Sequence, residues 1–178
     1  MNLKLINVLN REFDQQKELT VVVSDLTYVR VGNRWHYICL FVDLYNREII
    51  GHSAGPTKDA GLVYQALSTI KANLRQIQLF HTDRGNEFKN KTIDEALDTF
   101  KIKRSLSMKG CPYDNACIES FHASLKKEEV NLVNCFDYDG ARLAIFEYIE
   151  AWYNRKRIHS SIGYLTPQRC EDLARKIA

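Results

Sequence analysis

The chain has 178 residues, of which 45% are hydrophobic and 26% charged, and it contains three prolines. A chain of this size forms one domain that buries roughly 70% of its unfolded surface, and the composition excludes a disordered or fibrous protein. The formal charge of +3 is too small to indicate nucleic-acid binding by itself. The basic residues are concentrated, however, in the segments 101–112 and 154–159, which a solvated surface or a nucleic-acid contact would explain equally well.

The cysteines and the N-terminus indicate an intracellular protein. Charges interrupt the apolar residues of the first thirteen positions too soon for a signal peptide or a membrane span. The cysteines form no CxxC pair and have no histidines at zinc-ligand spacing, so we expect reduced, mostly buried thiols of a cytosolic protein. They are Cys39, Cys111, Cys117, Cys135 and Cys170.

Three strands are predicted at the start of the chain. The segment 19–30 is rich in β-branched and aromatic residues on both alternating faces, which is typical of a strand covered on two sides. Turn signals at Gly32-Asn33 and Tyr45-Asn46 separate this strand from two further strand-like segments, 35–44 and 47–54. The sequence therefore predicts a consecutive antiparallel meander.

Alternating helices and strands follow the meander. Apolar residues at helical spacing predict a helix from Lys58 to Leu74, with Thr57 as its N-cap. The segment 77–83 then reads as a fourth strand, and a strand that follows a helix in this way normally returns parallel to its neighbour. The crossover brings Asp83 back to the sheet. A second helix around 93–100 and a fifth strand at 101–106 complete the pattern.

Helices predominate in the last third of the chain. The third helix is expected to begin near Asp114 or Asn115, and a last helix to turn four apolar residues inward. Those four residues are Leu143, Phe146, Ile149 and Trp152. The predicted fold class is α/β, a five-stranded mixed sheet with three antiparallel strands and then parallel strands, flanked by helices. We assign residues 1–18 to an N-terminal lead-in and 19–178 to one core with a helical, basic C-terminal extension.

Three carboxylates are the candidate catalytic and metal-binding residues. Asp25, Asp83 and Glu119 could separately be a capping group, a turn residue and an exposed helix charge. Asp25, however, lies in the middle of a two-sided strand, where a buried carboxylate needs a cation nearby. Oxygen ligands of this kind favour Mg²⁺ or Mn²⁺ over zinc. Three carboxylates against two such ions leave one positive charge, which a scissile phosphodiester neutralises in a two-metal site.

Four ordered motifs between Leu19 and Pro167 resemble a known family. They are SDLTYV around Asp25, HTDRGNEF around Asp83, CPYDNACIESFHASLKKE around Glu119, and WYNRKRIHSSIGYLTP. With 35 residues between Asp83 and Glu119, they resemble the integrase-core (DDE) transposases of bacterial insertion sequences and the catalytic domain of retroviral integrases. The resemblance implies an RNase H-like fold in which the three acids bind two Mg²⁺ or Mn²⁺ ions. It also implies cleavage of DNA at transposon ends and transfer of the 3′-hydroxyl to target DNA.

Further residues are candidates for DNA contact. His122 and Lys126 follow Glu119 at i+3 and i+7, so the three side chains share one helix face. The basic segments add further DNA-binding candidates, which are Lys109, Arg155, Arg157 and His159. His81 is better explained as a packed strand residue than as a metal ligand. For Asn154, Arg157 and His159 the alternatives are DNA binding, locking of a helix, and subunit contact.

Departures from the family leave three functions to compare. Val22 stands where the family usually has tryptophan, and the usual upstream DNA-binding helices do not precede the motifs. We therefore expect DNA and a homo-oligomer as partners, together with a separately encoded or missing N-terminal DNA-binding subunit. The expected location is the bacterial cytoplasm, on the nucleoid when DNA is bound. The alternatives to a transposase are a simple RNase H-like nuclease and a catalytically inert DNA-binding or oligomerisation module.

Overall fold

The structure of the protein is a computed structural model that describes residues 6–130 and 137–177. Its strands are β1 (Val21–Val31), β2 (Arg34–Asp43), β3 (Ile49–Gly55), β4 (Leu79–Thr82) and β5 (Lys103–Leu106). They form one sheet in the order β3-β2-β1-β4-β5. The first three strands are antiparallel neighbours, and β4 and β5 continue the sheet in parallel. The predicted α/β mixed sheet is therefore confirmed.

The β1–β2 hairpin is the longest paired unit of the sheet. Gly32 has a φ of 56°, which glycine adopts without steric cost, and the turn lets Val31 pair with Arg34. The pairing continues back along both strands and places Asp25 opposite Leu40. On its other side β1 pairs with β4 from Val21 to Val23. Asp25 thus lies just beyond the point where the two parallel strands separate.

Helix α1 (Ala60–Ser68) is shorter than predicted and begins later. Its N-cap is Asp59, whose Oδ1 accepts a hydrogen bond from the Leu62 N–H at 2.9 Å. The prediction of Thr57 as the cap is therefore wrong. Thr57 instead donates its hydroxyl hydrogen to Asp59 Oδ2 at 2.8 Å, because the carboxylate is the better acceptor for the helix N–H groups.

The end of α1 is fixed by the neighbouring strand. The Thr69 hydroxyl donates to the Ala66 carbonyl at 2.7 Å and accepts from the His52 N–H of β3 at 3.0 Å. These bonds end the helix several residues before the predicted end at Leu74. Gly51 of β3 is required at this contact, since a Cβ there would lie 2.6 Å from Ile70 Cγ1. The C-terminal end of α1 is therefore set by its tertiary contacts with β3.

The remaining helices are α2 (Lys91–Phe100), α3 (Ala116–Leu125), α4 (Tyr138–Glu147) and α5 (Pro167–Ile177). Helices α3 and α4 each continue into a π-helical segment, Lys126–Val130 and Tyr148–Tyr153. Asn115 occupies the N-cap position of α3 without a side-chain capping bond. The predicted start near Asp114 or Asn115 is confirmed, but Asp114 accepts from Arg11 Nε and the Met108 N–H, so neither side chain caps α3.

The inward face of α4 is not the one predicted. Leu143, Phe146 and Trp152 are about half exposed, whereas Ile149 is fully buried as expected. Steps of three residues drift by about 60° around a helix of 3.6 residues per turn, so a stripe of such steps cannot stay on one face. The π-helical segment turns the face further. The side chains that do pack inward are Ala141, Ile145, Tyr148, Ile149 and Tyr153.

Two hydrophobic cores lie on the two faces of the sheet. Helices α1 and α2 cover one face through residues such as Val63 and Leu97. Helices α3 and α4 cover the other through residues such as Phe121 and Ile145. Leu9 from the N-terminal lead-in is buried in this second core, and the Leu106 N–H of β5 donates to the Ile6 carbonyl. Both faces of β1 are therefore covered.

The cysteines and the helix lengths complete the description. Cys39 is buried, whereas Cys111, Cys117 and Cys170 are partly exposed, and all four are free thiols. The expectation of mostly buried cysteines is therefore wrong for these three, which lie outside the central strands. Cys135 falls outside the described residues. In the described parts of the chain, no helix has both the length and the apolar character needed to cross a membrane.

Candidate active site

Asp25 is a partly buried carboxylate in the interior of strand β1. Its side chain is 20% exposed, and its Oδ1 accepts a hydrogen bond from the Leu26 N–H at 2.8 Å. The pKa of this carboxyl is raised to about 7, chiefly by burial and to a lesser extent by the charges of Asp83 and Glu119, while the Leu26 hydrogen bond and the charge of Lys58 oppose the rise. The carboxylate form at this position therefore calls for a cation.

Asp83 directly follows β4 and is level with Asp25. The parallel register pairs Val23 with His81, so the next residues of the two strands place both aspartates at one end of the shared segment. Asp83 Oδ1 accepts from the Gly85 N–H at 2.8 Å, which fixes the carboxylate in a tight turn. The predicted approach of strands one and four is confirmed.

Glu119 belongs to the first turn of α3 and is exposed. Neighbouring Ile118 and Phe121 are buried in the core and anchor α3, which packs against β1. Its charge is one of those that raise the pKa of Asp25. The three acids thus belong to one electrostatic cluster, which we call the acidic cluster (Asp25, Asp83 and Glu119).

His122 lies beside the acidic cluster. Its Nδ1 is 3.7 Å from Asp25 Oδ2, and the residue is 9% exposed. Burial, followed by the charge of Lys126, lowers the pKa of His122 to about 4, so this imidazole is neutral near pH 7. The contact therefore joins a neutral imidazole to the Asp25 carboxyl group and is not an ion pair. The buried His122 Nε2 has no hydrogen-bond partner among the described residues.

Lys58 and Glu87 are site residues that sequence reasoning missed. Lys58 Nζ is 2.9 Å from Glu87 Oε1, and the Glu87 side chain is 7% exposed. Glu87 raises the pKa of Lys58 most strongly, and Asp83 and Asp25 also raise it. Glu87 folds over Gly85, where a Cβ would lie 2.4 Å from Glu87 Oε1. The glycine and glutamate of HTDRGNEF were the available signal, but nothing in the sequence indicated Lys58.

Lys58 should weaken metal binding at the acidic cluster. A Lys58→Met variant removes one positive charge near Asp25 and Asp83, and we expect Mn²⁺ affinity to rise about 3- to 10-fold, a modest effect because Lys58 is half exposed. Isothermal titration with Mn²⁺ measures the change. Lys71→Met, at an exposed lysine on the β3 side of the sheet, is the control and should leave the affinity unaltered. An equal or weaker affinity in Lys58→Met would contradict the prediction.

Two polar residues near the acidic cluster are held by the scaffold. His81 is fully buried, with Nδ1 2.8 Å from Ser105 Oγ, which confirms its interpretation as a packed strand residue. Arg84 Nε donates to the Ser107 carbonyl at 2.8 Å. Lys109 is exposed in the loop that follows β5, next to Gly110, which has a φ of 77°. Its contact with DNA stays a prediction.

Lys126 and the C-terminal motif are in different surroundings. Lys126 Nζ lies 4.1 Å from the ring centre of Tyr28, on the helix face that also carries Glu119 and His122. Arg155 is exposed and lines a groove along edge strand β3, two strands away from β1. The structure therefore brings Lys126 to the acidic cluster and does not bring Arg155 there.

The rest of the C-terminal motif makes internal contacts. Asn154 is buried, with Oδ1 accepting from the Ile49 N–H and Nδ2 donating to the Ile49 carbonyl, both at 3.0 Å. Arg157 Nε donates to Glu128 Oε1 at 2.9 Å, and Arg157 Nη1 is 3.2 Å from His159 Nδ1. These bonds tie the motif to β3 and to the π-helical segment after α3. The roles of Arg157 and His159 in DNA binding remain predictions.

The donor set of the acidic cluster fits hard divalent cations. All three side chains offer carboxylate oxygens, and nearby positive charge stabilises the anionic form of the partly buried Asp25. Within 6–130 and 137–177, no three His, Cys, Asp or Glu side chains are already grouped closely enough to hold a metal ion. The carboxylates are therefore near one another without being preassembled as a complete ligand set.

The RNase H-like α/β fold and the acidic cluster at the β1–β4 junction together indicate an integrase-type core. Model matches to the "Integrase core domain" cover residues 15–112 and, in a second model of that description, 100–167. The chain belongs to the integrase core domain family.

Curated relatives are transposases of insertion sequences. Transposase InsF for insertion sequence IS3A of Escherichia coli is 34% identical over 168 residues, which cover 93% of this chain and 58% of that protein. The transposase for insertion sequence element IS904 of Lactococcus lactis is 31% identical, covering 93% of this chain and 66% of that protein. The chain thus spans a little over half the length of the InsF relatives.

Solved structures with the same fold are retroviral integrase cores. The HTLV-2 integrase catalytic core domain in complex with magnesium has a TM-score of 0.68 at 16% identity, covering 85% of this chain and 95% of that one. The catalytic core domain of BIV integrase has a TM-score of 0.63 at 20% identity, covering 90% of this chain and 99% of that one. At these identities the likeness establishes the RNase H-like fold.

Proposed function

We propose that this chain is the catalytic core of a DNA transposase that cuts DNA at transposon ends and joins the freed 3′-hydroxyl to target DNA. The observation that carries the proposal is the partly buried Asp25 on β1, whose pKa is raised chiefly by burial and also by Asp83 and Glu119. Removing the Asp25 carboxylate from water costs free energy of folding. The same carboxylate provides a binding site for cations that hold a phosphodiester. Membership of the integrase core domain family supports the same activity.

Asp25, Asp83 and Glu119 would hold two Mg²⁺ or Mn²⁺ ions. Bound ions of this kind polarise the phosphodiester and stabilise the attacking and leaving oxygens. The magnesium complex of the HTLV-2 integrase core, a protein with the same fold, supports this choice. The chain's own contribution is to place the three carboxylates on β1, after β4 and on α3. Lys58 and Glu87 adjust the local charge.

Two reactions follow at this site. In the first, water attacks the phosphorus and the P–O3′ bond breaks, which leaves a 3′-hydroxyl on the transposon end. In the second, that 3′-oxygen attacks a target phosphorus, and a new 3′-hydroxyl is released from the target strand. No covalent intermediate with the enzyme is formed. His122 and Lys126, on the same face as Glu119, would contact the DNA strand, with Lys109, Arg155, Arg157 and His159 as further candidates.

The proposed partners are DNA, further copies of the chain and a DNA-binding subunit. The chain spans 58% of the length of the InsF relatives. We therefore assign recognition of the end sequences to protein segments or subunits outside these 178 residues. A homo-oligomer assembled on DNA would bring two ends to one target. The protein would act in the bacterial cytoplasm, on the nucleoid.

A strand-transfer assay tests the proposal. Oligonucleotides with candidate end sequences and a free 3′-hydroxyl are incubated with the protein and Mn²⁺, with and without an added DNA-binding subunit. We expect joined products that require Mn²⁺ and disappear in Asp83→Asn. Nicked DNA without joined products would favour the simple nuclease. A folded protein that binds no Mn²⁺ in calorimetric titration would favour the inert module, and unchanged activity in Asp83→Asn would contradict the proposal.

A further inference from the structure

An exposed pair of aromatic rings lies on the β1–β2 hairpin. Tyr28 and Trp35 are 54% and 55% exposed, and their rings meet edge to face with centres 5.2 Å apart. The Arg30 guanidinium lies 6.0 Å from the Trp35 ring centre, and Lys126 Nζ lies 4.1 Å from that of Tyr28. We call these four residues the aromatic track.

The aromatic track and the acidic cluster are carried by the same two parts of the chain, strand β1 and the helix that contains Glu119 with the segment that follows it. Tyr28 follows Asp25 by three residues on β1, so the two side chains leave opposite faces of the strand. Lys126, the residue directly after α3, follows Glu119 by two helical turns and reaches the Tyr28 ring. His122 connects the two elements, with Nδ1 3.7 Å from Asp25 Oδ2. Pairing of β1 with β4 ends at Val23, so the hairpin carrying the track extends past the parallel part of the sheet. A strand of DNA leaving the acidic cluster in this direction would meet the track.

The charge around the aromatic track is positive. The segment 26–38 contains no acidic residue and carries Arg30 and Arg34, both exposed, and Lys126 adds a third cation. Phosphate contacts need such cations but make no use of aromatic rings. Half-exposed rings beside cations are the combination with which proteins bind unpaired bases, by stacking on the rings while the cations meet the backbone. Inside a duplex both faces of each base are covered by neighbouring pairs, so paired bases cannot enter between the rings as an unpaired base can.

We propose that the aromatic track binds an unpaired nucleotide of the DNA strand next to the phosphodiester that the acidic cluster processes. The proposal rests on the proposed function, since it assumes that DNA occupies the acidic cluster. Tyr28 and Trp35 supply stacking faces, and Lys126 and Arg30 contact the flanking phosphates. The track thereby favours ends that are frayed or single-stranded over blunt duplex ends. Holding the unpaired nucleotide also fixes the strand at the site of cleavage.

Binding is measured without metal, so that the result does not depend on catalysis. Fluorescence anisotropy with EDTA compares a labelled duplex carrying a thymidine overhang with the blunt form of the same duplex. Stacking is worth about 1–3 kcal/mol per base, so Tyr28→Ala and Trp35→Ala should each weaken overhang binding roughly 5- to 150-fold and blunt binding much less. Tyr64→Ala, at a ring on α1 that is 50% exposed, is the matched control and should have no effect.

A second measurement keeps the test independent of variant folding. The chain has two tryptophans, so a Trp152→Phe protein retains Trp35 as its one tryptophan. Overhang DNA should quench this emission more strongly than blunt DNA. The proposal is overturned by absent quenching, by equal losses for overhang and blunt DNA, or by Tyr28→Ala changing the oligomeric state without changing DNA binding. Failure of strand transfer alongside normal overhang binding would instead count against the proposed catalytic function.

Discussion

An Asp25→Asn variant is expected to lose nicking and strand transfer by at least about 1000-fold, because the metal-dependent stabilisation of charge is worth several kcal/mol. The same variant should be more stable than the wild type when metal is absent and the pH is neutral. The amide removes a charge that the fold buries at a cost. Activity and stability would therefore change in opposite directions at one residue.

The stability gained by Asp25→Asn should depend on pH because the pKa of Asp25 is raised in the native state. Its pKa is about 7 in the native state against 3.8 for an unperturbed carboxyl, chiefly because of burial. Between these values the native state binds a proton that the unfolded state has lost, so wild-type stability falls as the pH rises and levels off above about 7. The shift corresponds to a free energy on the order of 2–4 kcal/mol. Asp25→Asn does not lose stability in this way. Its excess stability over the wild type should therefore be small at acid pH and reach its full size above pH 7.

Denaturant unfolding in EDTA across a pH series measures the stability difference, and a nicking assay with Mn²⁺ measures activity. Asp137→Asn is the matched control, since Asp137 caps α4 by accepting from the Gly140 N–H at 2.7 Å, a bond that asparagine can also accept. Asp137→Asn should change neither the stability nor the nicking activity. A wild-type protein more stable than Asp25→Asn at alkaline pH, or an active variant, would refute the prediction.

An Asn154→Asp variant is expected to lose about 2–4 kcal/mol of stability, which lowers the Tm by roughly 4–16 °C for a domain of this size. Asn154 satisfies both the N–H and the carbonyl of Ile49 from a buried position. A carboxylate can accept from the N–H but cannot donate to the carbonyl. The Ile49 carbonyl would then lose its partner and face a buried negative charge.

Thermal unfolding measures this effect, with Asn33→Asp in the exposed hairpin turn as the control for the same chemical change. The experiment distinguishes locking of the structure from DNA binding for the C-terminal motif. If the motif locks the fold, Asn154→Asp lowers the Tm while the slope of log DNA affinity against log salt stays constant. A constant Tm combined with a slope reduced by about 0.9 per lost phosphate contact would indicate DNA binding instead.

The order of strands and helices could be predicted from local patterns. Neighbouring residues decide the strand around Asp25, the turn at Gly32-Asn33 and the return of the fourth strand. These features can therefore be predicted from the sequence. The meeting of Asp25 and Asp83 follows from that order, because β4 lies parallel to β1. Helix boundaries were less predictable. Thr69 ends α1 by bonding His52 of β3, a contact that no helical pattern contains.

The sequence by itself determined the acidic cluster: the three acids, their motifs and the sheet that brings them together. Only the tertiary structure decided what surrounds the cluster. Lys58 meets Glu87 across 29 residues of chain, and Lys126 reaches Tyr28 across 98, from elements whose local patterns say nothing of each other. It also decided that Leu143, Phe146 and Trp152 face outward. The physical reason is that charge pairing and burial depend on packing between distant elements, whereas strand and helix formation depends mostly on adjacent residues.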